Sequence, residues 1–320
     1  MTRLGYQIPN FTYPGVAPAN IFANVIEQAK AAEANNFDRV LLMDHFYQLP
    51  GIGDPDDPMF ECYTALAALA QHTESVRLSA LVTGNTYRYP AVLAKTITTL
   101  DHVSGGRATL GIGSGWFELE HDAFGIPFNT FTERFEKLEE ALNIILPMLR
   151  GERPTLDGKH YQVAEAINSP APVSRIPVMI GGSGEKKTLR MVAQYADESN
   201  LTCSVEEIPR KLDVLAAHCD QLGRDRGEIK VTKLVMMALG RTHEQAMESL
   251  NDYADTHGWP RDVVELMAPM LTIGDPDAIG EEIRGLIDAG LDGITLNLAT
   301  VGHDPEMVAL AGQICNEAIG

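Results

Sequence analysis

The sequence is poor in cysteine and tryptophan, and it lacks the common metal and hydrolase motifs. Its 320 residues include 4 Cys and 2 Trp. The cysteines lie far apart, so they do not form the framework of a disulfide-rich secreted domain, and no CxxC pair is present. The 9 histidines form no HxxxH or HExxH pair, and the GxSxG motif of serine hydrolases is missing. We therefore predict no metal centre and no serine nucleophile.

Basic residues are scarce relative to acidic ones. The chain has 25 Lys and Arg against 44 Asp and Glu, which gives a formal net charge of -19. Such a chain repels nucleic acid and anionic membrane surfaces. Its apolar stretches are too short to cross a bilayer, and its N-terminus lacks the apolar core of a signal peptide. We predict a soluble cytoplasmic protein that acts on a small molecule and binds neither nucleic acid nor membrane.

Short β-rich runs alternate with helical segments along the chain. The predicted strands are 4–9, 39–44, 76–83, 108–113, 177–182, 198–203, 229–239 and 293–299. The predicted helices are 20–35, 61–72, 90–103, 130–150, 186–195, 206–222, 242–253 and 276–289. Several strands are apolar on both faces, which is typical of a parallel sheet covered by helices. Eight such units predict a single-domain (β/α)8 TIM barrel over 1–320. An open doubly wound sheet alternates in the same way, but its GxGxxG motif is missing after the first strand.

Two stretches interrupt this alternation. Segment 151–175 contains three prolines and an Asp157-Gly158 turn. It predicts an insertion with a β-hairpin between the fourth helix and the fifth strand. Segment 255–269, near the seventh helix, is a second excursion.

In a barrel, functional groups lie at the carboxyl ends of the strands. Strand two ends in Asp44 and His45, a carboxylate and an imidazole that can bind a heterocycle and exchange a proton. The alternative is that Asp44 caps the loop and His45 packs at the rim. Strand five ends in the glycine-rich turn 181–184 before a helix, which suits a phosphate but equally suits a tight turn. The acidic segment 118–122 is interpreted as a solvated helix start.

Several segments in combination resemble the bacterial luciferase-like superfamily. They are 43–46, 83–90, 100–107, 111–126 and 180–184. The Asp-His pair at 44–45 resembles the branch that uses the deazaflavin coenzyme F420, whereas FMN-dependent monooxygenases more often carry Glu-His there. The sugar-phosphate dehydrogenases of that branch have a glutamate directly after the strand-four Ser/Thr-Gly pair. Trp116 stands at that position, so a sugar phosphate is not the expected substrate.

The resemblance implies a set of site residues. Asp44 and His45 would be catalytic and would lie beside the deazaflavin ring, and the insertion would cover the mouth of the barrel. The bond between Ala80 and Leu81 would match the family's non-prolyl cis peptide or bulge. The coenzyme would contact Asp44, His45, Ala80, Leu81, Val82, Thr83, Ser114, Gly115, Gly181, Gly182, Ser183 and Gly184. The substrate would pack against Tyr47, Trp116 and Phe117.

The resulting hypothesis is an F420-dependent oxidoreductase that transfers a hydride between C5 of the deazaflavin and a small organic substrate. The alternatives are an FMN-dependent monooxygenase of the same fold and a barrel that only carries or senses the coenzyme. The resemblance also implies a homodimer. Helices 61–72 and 90–103 have wide apolar faces that are consistent with a second buried contact, although a covering loop would explain them equally well. These faces contain Tyr63, Leu66, Ala67, Leu69, Ala70, Val92, Leu93, Ile97 and Leu100.

Overall fold

Eight parallel strands form a closed barrel in the computed structural model, which describes residues 3–268 and 271–319. In order around the barrel they are β1 (Arg3–Gln7), β2 (Arg39–Leu42), β3 (Arg77–Ala80), β5 (Ala108–Gly113), β8 (Val178–Gly181), β9 (Glu198–Leu201), β10 (Lys230–Leu239) and β12 (Gly293–Asn297). Pairing of β12 with both β1 and β10 closes the ring. The predicted (β/α)8 barrel is confirmed, and the open sheet is excluded.

Helices cover the outside of the barrel. They are α1 (Ile21–Ala34), α2 (Cys62–Ala70), α3 (Pro90–Val103), α4 (Glu118–Phe124), α5 (Phe131–Leu149), α6 (Thr188–Tyr195), α7 (Ile208–Leu222), α8 (His243–Thr256), α9 (Arg261–Met267), α10 (Pro276–Asp288) and α11 (Pro305–Ile319). The helix start expected at 118–122 is α4, whereas α9 and α11 were not among the predicted helices. In α5 a capping box between Thr130 and Glu133 satisfies free amides at the helix start. No helix within the described ranges is long and apolar enough to span a membrane.

Three short additions modify the barrel. The predicted strand 76–83 is interrupted, and its last part forms β4 (Thr83–Gly84), which pairs with β5. In the insertion, β6 (Leu156–Asp157) and β7 (Gln162–Val163) form the expected antiparallel hairpin. A further strand, β11 (Thr272–Gly274), extends the sheet beside β10. Of the excursion at 255–269, the described part contributes the end of α8 and α9, and residue 269 lies outside the described residues.

The insertion packs against the side of the barrel. Asp101 of α3 accepts hydrogen bonds from the amides of Val173 and Ser174, both at 2.9 Å. Asn168 donates to the Met148 carbonyl of α5 at 3.1 Å. These buried contacts hold the segment against α3 and α5.

The wide apolar faces of α2 and α3 are used mostly within the chain. Tyr63, Leu66, Leu69 and Ala70 of α2 are buried, as are Leu93, Ile97 and Leu100 of α3. Of the residues proposed as a second contact, Val92 is the one with a large exposed fraction, at 57%. The width of these faces is therefore not an argument for a subunit contact, because the two helices pack on each other as well as on the strands.

Candidate active site

A cavity of about 1230 Å³ opens at the carboxyl ends of the barrel strands. The predicted site residues that line it are Asp44, His45, Leu81, Val82, Thr83, Ser114, Gly115, Trp116, Gly181, Gly182, Ser183 and Gly184. Tyr47, Ala80 and Phe117 are not part of its surface. No residue of segment 151–175, all of which is described, lines the cavity either. The prediction that the insertion covers the mouth is wrong, because its contacts hold it against α3 and α5.

Asp44 follows β2 and is almost fully buried, at 1% exposure. Its two carboxylate oxygens accept hydrogen bonds from the Arg88 guanidinium at 2.7 and 2.9 Å, and the Gly84 amide donates to one of them. Burial raises the pKa of Asp44 above its ordinary value, against the opposing charge of Arg88. With both oxygens bound, Asp44 connects the loop after β2 to the loop after β3, an arrangement that favours a positioning role over proton exchange.

His45 faces the cavity and is held from behind by a carboxylate. Its Nδ1 lies 2.8 Å from an oxygen of Glu120, which belongs to α4. A carboxylate only accepts hydrogen bonds, so Nδ1 is assigned the proton and Nε2 is left with a free lone pair in the neutral ring. Nε2 has no hydrogen-bond partner among the described residues, and His45 lines the cavity. The ring can therefore exchange a proton with a molecule bound there.

The carboxylate of Glu120 accepts hydrogen bonds from several donors. Besides His45, it accepts from the amides of Phe46 and Tyr47 and from the hydroxyl of Tyr87. Burial alone would raise the pKa of Glu120, but the hydrogen bonds that its carboxylate accepts, first the one from His45, outweigh burial and hold this pKa below the ordinary value. The carboxylate thus stays ionised behind the imidazole.

This geometry corrects the interpretation of segment 118–122 as a solvated helix start. Glu118 and Asp122 are exposed, but Glu120 and His121 are fully buried. His121 contacts Thr86 through Nε2 and the Phe117 carbonyl through Nδ1, both at 2.7 Å. Residues 117, 120, 121 and 124 are three or four positions apart, so a helix places their side chains on one face. This spacing is visible in the sequence and could have indicated the buried face. No cluster of metal-ligating side chains occurs within 3–268 and 271–319.

Of the three predicted substrate contacts, Trp116 alone lines the cavity. Its side chain is 59% exposed, and the Phe117 ring stacks against it with centroids 5.1 Å apart. Phe117 also packs edge-on against His45, so it supports the cavity wall from below. Tyr47 turns away and packs on Phe124. The apolar wall next to His45 is therefore narrower than predicted.

The stretch after β3 differs from the prediction by one residue. The non-prolyl cis peptide joins Leu81 and Val82, not Ala80 and Leu81. Ala80 still belongs to the strand, and the Leu81 amide donates to the Leu42 carbonyl in the ladder, so the chain turns only after Leu81. Ala80 is fully buried, and its carbonyl oxygen lies against Gly111 of β5. A Cβ atom on Gly111 would be only 2.1 Å from that oxygen.

The glycine-rich turn after β8 lies at the cavity surface as predicted. Gly182 has a φ of 115°, which a residue with a side chain rarely adopts, and its amide donates to the Asn200 carbonyl. Four basic residues that the sequence analysis missed line the cavity near this turn: Arg134, Lys186, Lys187 and Lys211. Glu185 lines the cavity here as well and pairs with Lys211 at 2.8 Å. With four basic residues against this one acidic residue, a turn without bulky side chains suits an anionic group.

Amide side chains form part of the cavity floor. Asn297 donates to Gln7 at 2.8 Å, and Gln7 donates to the Leu81 carbonyl at 3.3 Å. The Oδ1 atom of Asn297 is buried and has no partner, and both side chains line the cavity. A buried acceptor without a donor is costly. The floor therefore suits a bound heterocycle that presents an N–H.

The family follows from comparison of the whole chain. The sequence profile of the luciferase-like monooxygenase family matches residues 2–293. The chain belongs to this family. The resemblance found in the sequence motifs is confirmed.

Relatives within the luciferase-like family have known names. Over 298 residues the chain is 28% identical to the F420-dependent glucose-6-phosphate dehydrogenase of Microbacterium testaceum, covering 86% of each protein. It is 25% identical over 268 residues to the 5,10-methylenetetrahydromethanopterin reductase of Methanolobus tindarius, covering 82% of this chain and 72% of that one. Its structure matches an F420-dependent secondary alcohol dehydrogenase in complex with an F420-acetone adduct, with a TM-score of 0.81 at 19% identity and coverage of 100% and 99%. This structural match shows the shared fold.

Glu120→Gln should release the imidazole of His45. The substitution replaces one carboxylate oxygen of Glu120 by an N–H₂ group, which cannot accept a hydrogen bond. One of the groups that donate to Glu120 therefore loses its acceptor. We expect the free energy of unfolding to fall by about 1–3 kcal/mol. Nitrogen-15 NMR of the histidine rings should show a proton fixed on Nδ1 in the wild type and a mixture of tautomers in the variant. Glu118→Gln, an exposed change on the same helix, should alter neither quantity. An unchanged tautomer in Glu120→Gln would contradict the assignment.

Proposed function

We propose that this protein is an F420-dependent oxidoreductase that transfers a hydride between C5 of the deazaflavin and a small organic substrate. The observation that carries the proposal is the free Nε2 of His45, which faces the cavity while Glu120 holds Nδ1. Relatives that are named as F420-dependent enzymes support the choice of coenzyme.

The residues of the cavity fit such a coenzyme. The deazaflavin ring is flat and carries N–H groups, which match the unpartnered Oδ1 of Asn297 and the wall formed by 81–83. Its phosphate-bearing polar tail matches the turn 181–184 and the basic side chains beside it. Lys187 is placed there by the rings of Phe131 and Phe135, whose centroids both lie 5.3 Å from its Nζ.

The chain's own residues orient the reactants and move a proton. When bound, the coenzyme supplies the hydride acceptor or donor. Nε2 of His45 accepts the proton of a substrate hydroxyl, or returns it when the reaction runs in the other direction. The carboxylate of Glu120 stabilises the imidazolium that forms, as a charge-assisted hydrogen-bond partner. Asp44, bound to Arg88, keeps the loop that carries His45 in place.

F420 should bind more tightly than FMN. The Asp44-His45 pair matches the F420-using branch, and the cluster of basic side chains suits the longer anionic tail of F420. Fluorescence titration of the wild type with each coenzyme measures the two dissociation constants. Lys187→Ala should weaken F420 binding, whereas Lys30→Ala on the outer helix α1 should not. Binding of FMN at least as tight as that of F420 would instead favour the monooxygenase alternative.

His45→Ala should lower the rate of F420 reduction by roughly two to four powers of ten, because the variant loses its proton acceptor. Coenzyme affinity should change much less, since other parts of the cavity bind most of the coenzyme. The measurement is turnover followed by the absorbance of F420, together with a binding titration. His72→Ala, a change at an exposed position, serves as the matched control. Near-normal turnover of His45→Ala would reduce His45 to a structural residue of the rim.

We further infer that the protein works as a homodimer in the cytoplasm. The four cysteines are free, as expected in a reducing compartment. Exposed apolar side chains occur at the start of α3, along it and in the insertion that packs against it. They are Tyr89, Val92, Val103, Ile167 and Val173. Covering them in a subunit contact would remove apolar surface from water.

Light scattering at micromolar concentration should show a dimer at both low and high salt, because apolar burial is insensitive to screening. Val92→Asp should shift the particle towards the monomer, whereas Leu222→Asp, an equally exposed position on α7, should leave the dimer intact. A wild-type particle of 34.9 kDa would refute the homodimer.

A further inference from the structure

The four Lys and Arg residues that line the cavity lie on one side of the barrel, together with Glu185, which pairs with Lys211 at 2.8 Å. Arg134, Lys186, Lys187 and Lys211, here called the cationic arc, belong to segments that follow β5, β8 and β9. These three strands are consecutive neighbours in the barrel. The cationic arc therefore occupies one continuous part of the rim.

The other side of the rim is apolar. Segment 49–52 after β2, Leu234 and Met236 of β10, and Leu271 before β11, here called the apolar arc, line the cavity there. The strands from β10 through β12 and β1 to β2 are consecutive, so this arc lies across the barrel from the cationic arc. His45 is the basic residue that adjoins it among the described lining residues.

Within residues 3–268 and 271–319, no other positively charged side chain lines the cavity on the apolar side. The guanidinium of Arg88 is bound by Asp44 at 2.7 Å and by Glu61 at 2.6 Å, and it does not line the cavity. Segment 49–52 is held in place, because the Tyr253 hydroxyl donates to the Ile52 carbonyl. A phosphate placed here would lose its hydration without gaining a cation.

We propose that the substrate is an uncharged, largely apolar alcohol or carbonyl compound that packs on the apolar arc and Trp116, and not a sugar phosphate. This inference rests on the proposed function. In the oxidation, the carbinol C–H bond breaks and its electron pair leaves as a hydride to F420. The hydroxyl proton passes to Nε2 of His45 as the C=O bond forms. The reduction of a carbonyl compound is the reverse of these changes.

The test compares ligands that share a ring but differ in charge. Saturation-transfer NMR is recorded with cyclohexanol, cyclohexanone, cyclohexyl phosphate and glucose-6-phosphate, on F420-free protein and on protein saturated with F420. We expect the alcohol and the ketone to bind in both states. The phosphate esters should not bind the F420-loaded protein, because the coenzyme occupies the cationic arc.

Variants identify which half of the cavity binds the uncharged ligand. Leu49→Lys should weaken cyclohexanol binding about tenfold and allow glucose-6-phosphate to bind, since it adds a cation to the apolar arc. Trp116→Ala, at a position that is 59% exposed, should also weaken cyclohexanol binding. Leu222→Lys on the outside of α7 should change neither ligand.

The two proposals fail in different ways. Absence of F420 binding would refute the proposed function, while binding of cyclohexanol to the F420-free protein would still test the apolar arc. Binding of glucose-6-phosphate to the F420-loaded wild type at least as tightly as cyclohexanol would overturn this inference. Failure of both uncharged ligands to bind in either state would overturn it as well.

Discussion

Segments that follow β2, β4 and β5 meet at the carboxylate of Glu120, which also accepts a hydrogen bond from the Tyr87 hydroxyl after β4. The loop after β2 contributes His45 and the amides of Phe46 and Tyr47, while Glu120 itself belongs to α4 after β5. A fully buried carboxylate is costly unless its oxygens are hydrogen-bonded, and here several donors satisfy them. The same bonds that stabilise Glu120 orient the imidazole and leave Nε2 towards the cavity. The hydrogen bonds to Glu120 thus both stabilise the rim and orient His45 for proton transfer.

A second buried carboxylate, that of Asp44, connects the same loop to another part of the rim. Asp44 binds Arg88 and the Gly84 amide, which ties the loop after β2 to the loop after β3. Two buried carboxylates therefore hold this region, Glu120 at the imidazole of His45 and Asp44 at the residue before it. The barrel then separates the remaining functions around its rim, with positive charge after β5, β8 and β9 and apolar side chains from β10 to β2. Under the proposed function, such a separation would let an anionic coenzyme and an apolar substrate meet at His45.

The strand pattern could be predicted because buried parallel strands and their helices have a strong hydrophobic rhythm, and the strand ends then indicated Asp44, His45 and the turn 181–184. Glu120 was identified only as part of an acidic segment, since a buried carboxylate looks like an exposed one until its donors are known. Tyr47 was assigned to the wrong wall because the direction of a loop side chain depends on Phe124, which is distant in sequence. The four basic side chains of the cationic arc belong to segments that follow three different strands. These segments are far apart in the sequence, and only the closed barrel brings them together.

The central claim is that an F420 molecule occupies the cavity with its ring beside His45 and its tail on the basic side of the rim. A crystal structure of the protein with F420 tests this most directly. The account predicts the deazaflavin ring over the floor formed by Gln7 and Asn297, within reach of Nε2, and the phosphate at the turn 181–184. A phosphate placed over segment 49–52, or a ring remote from His45, would contradict it.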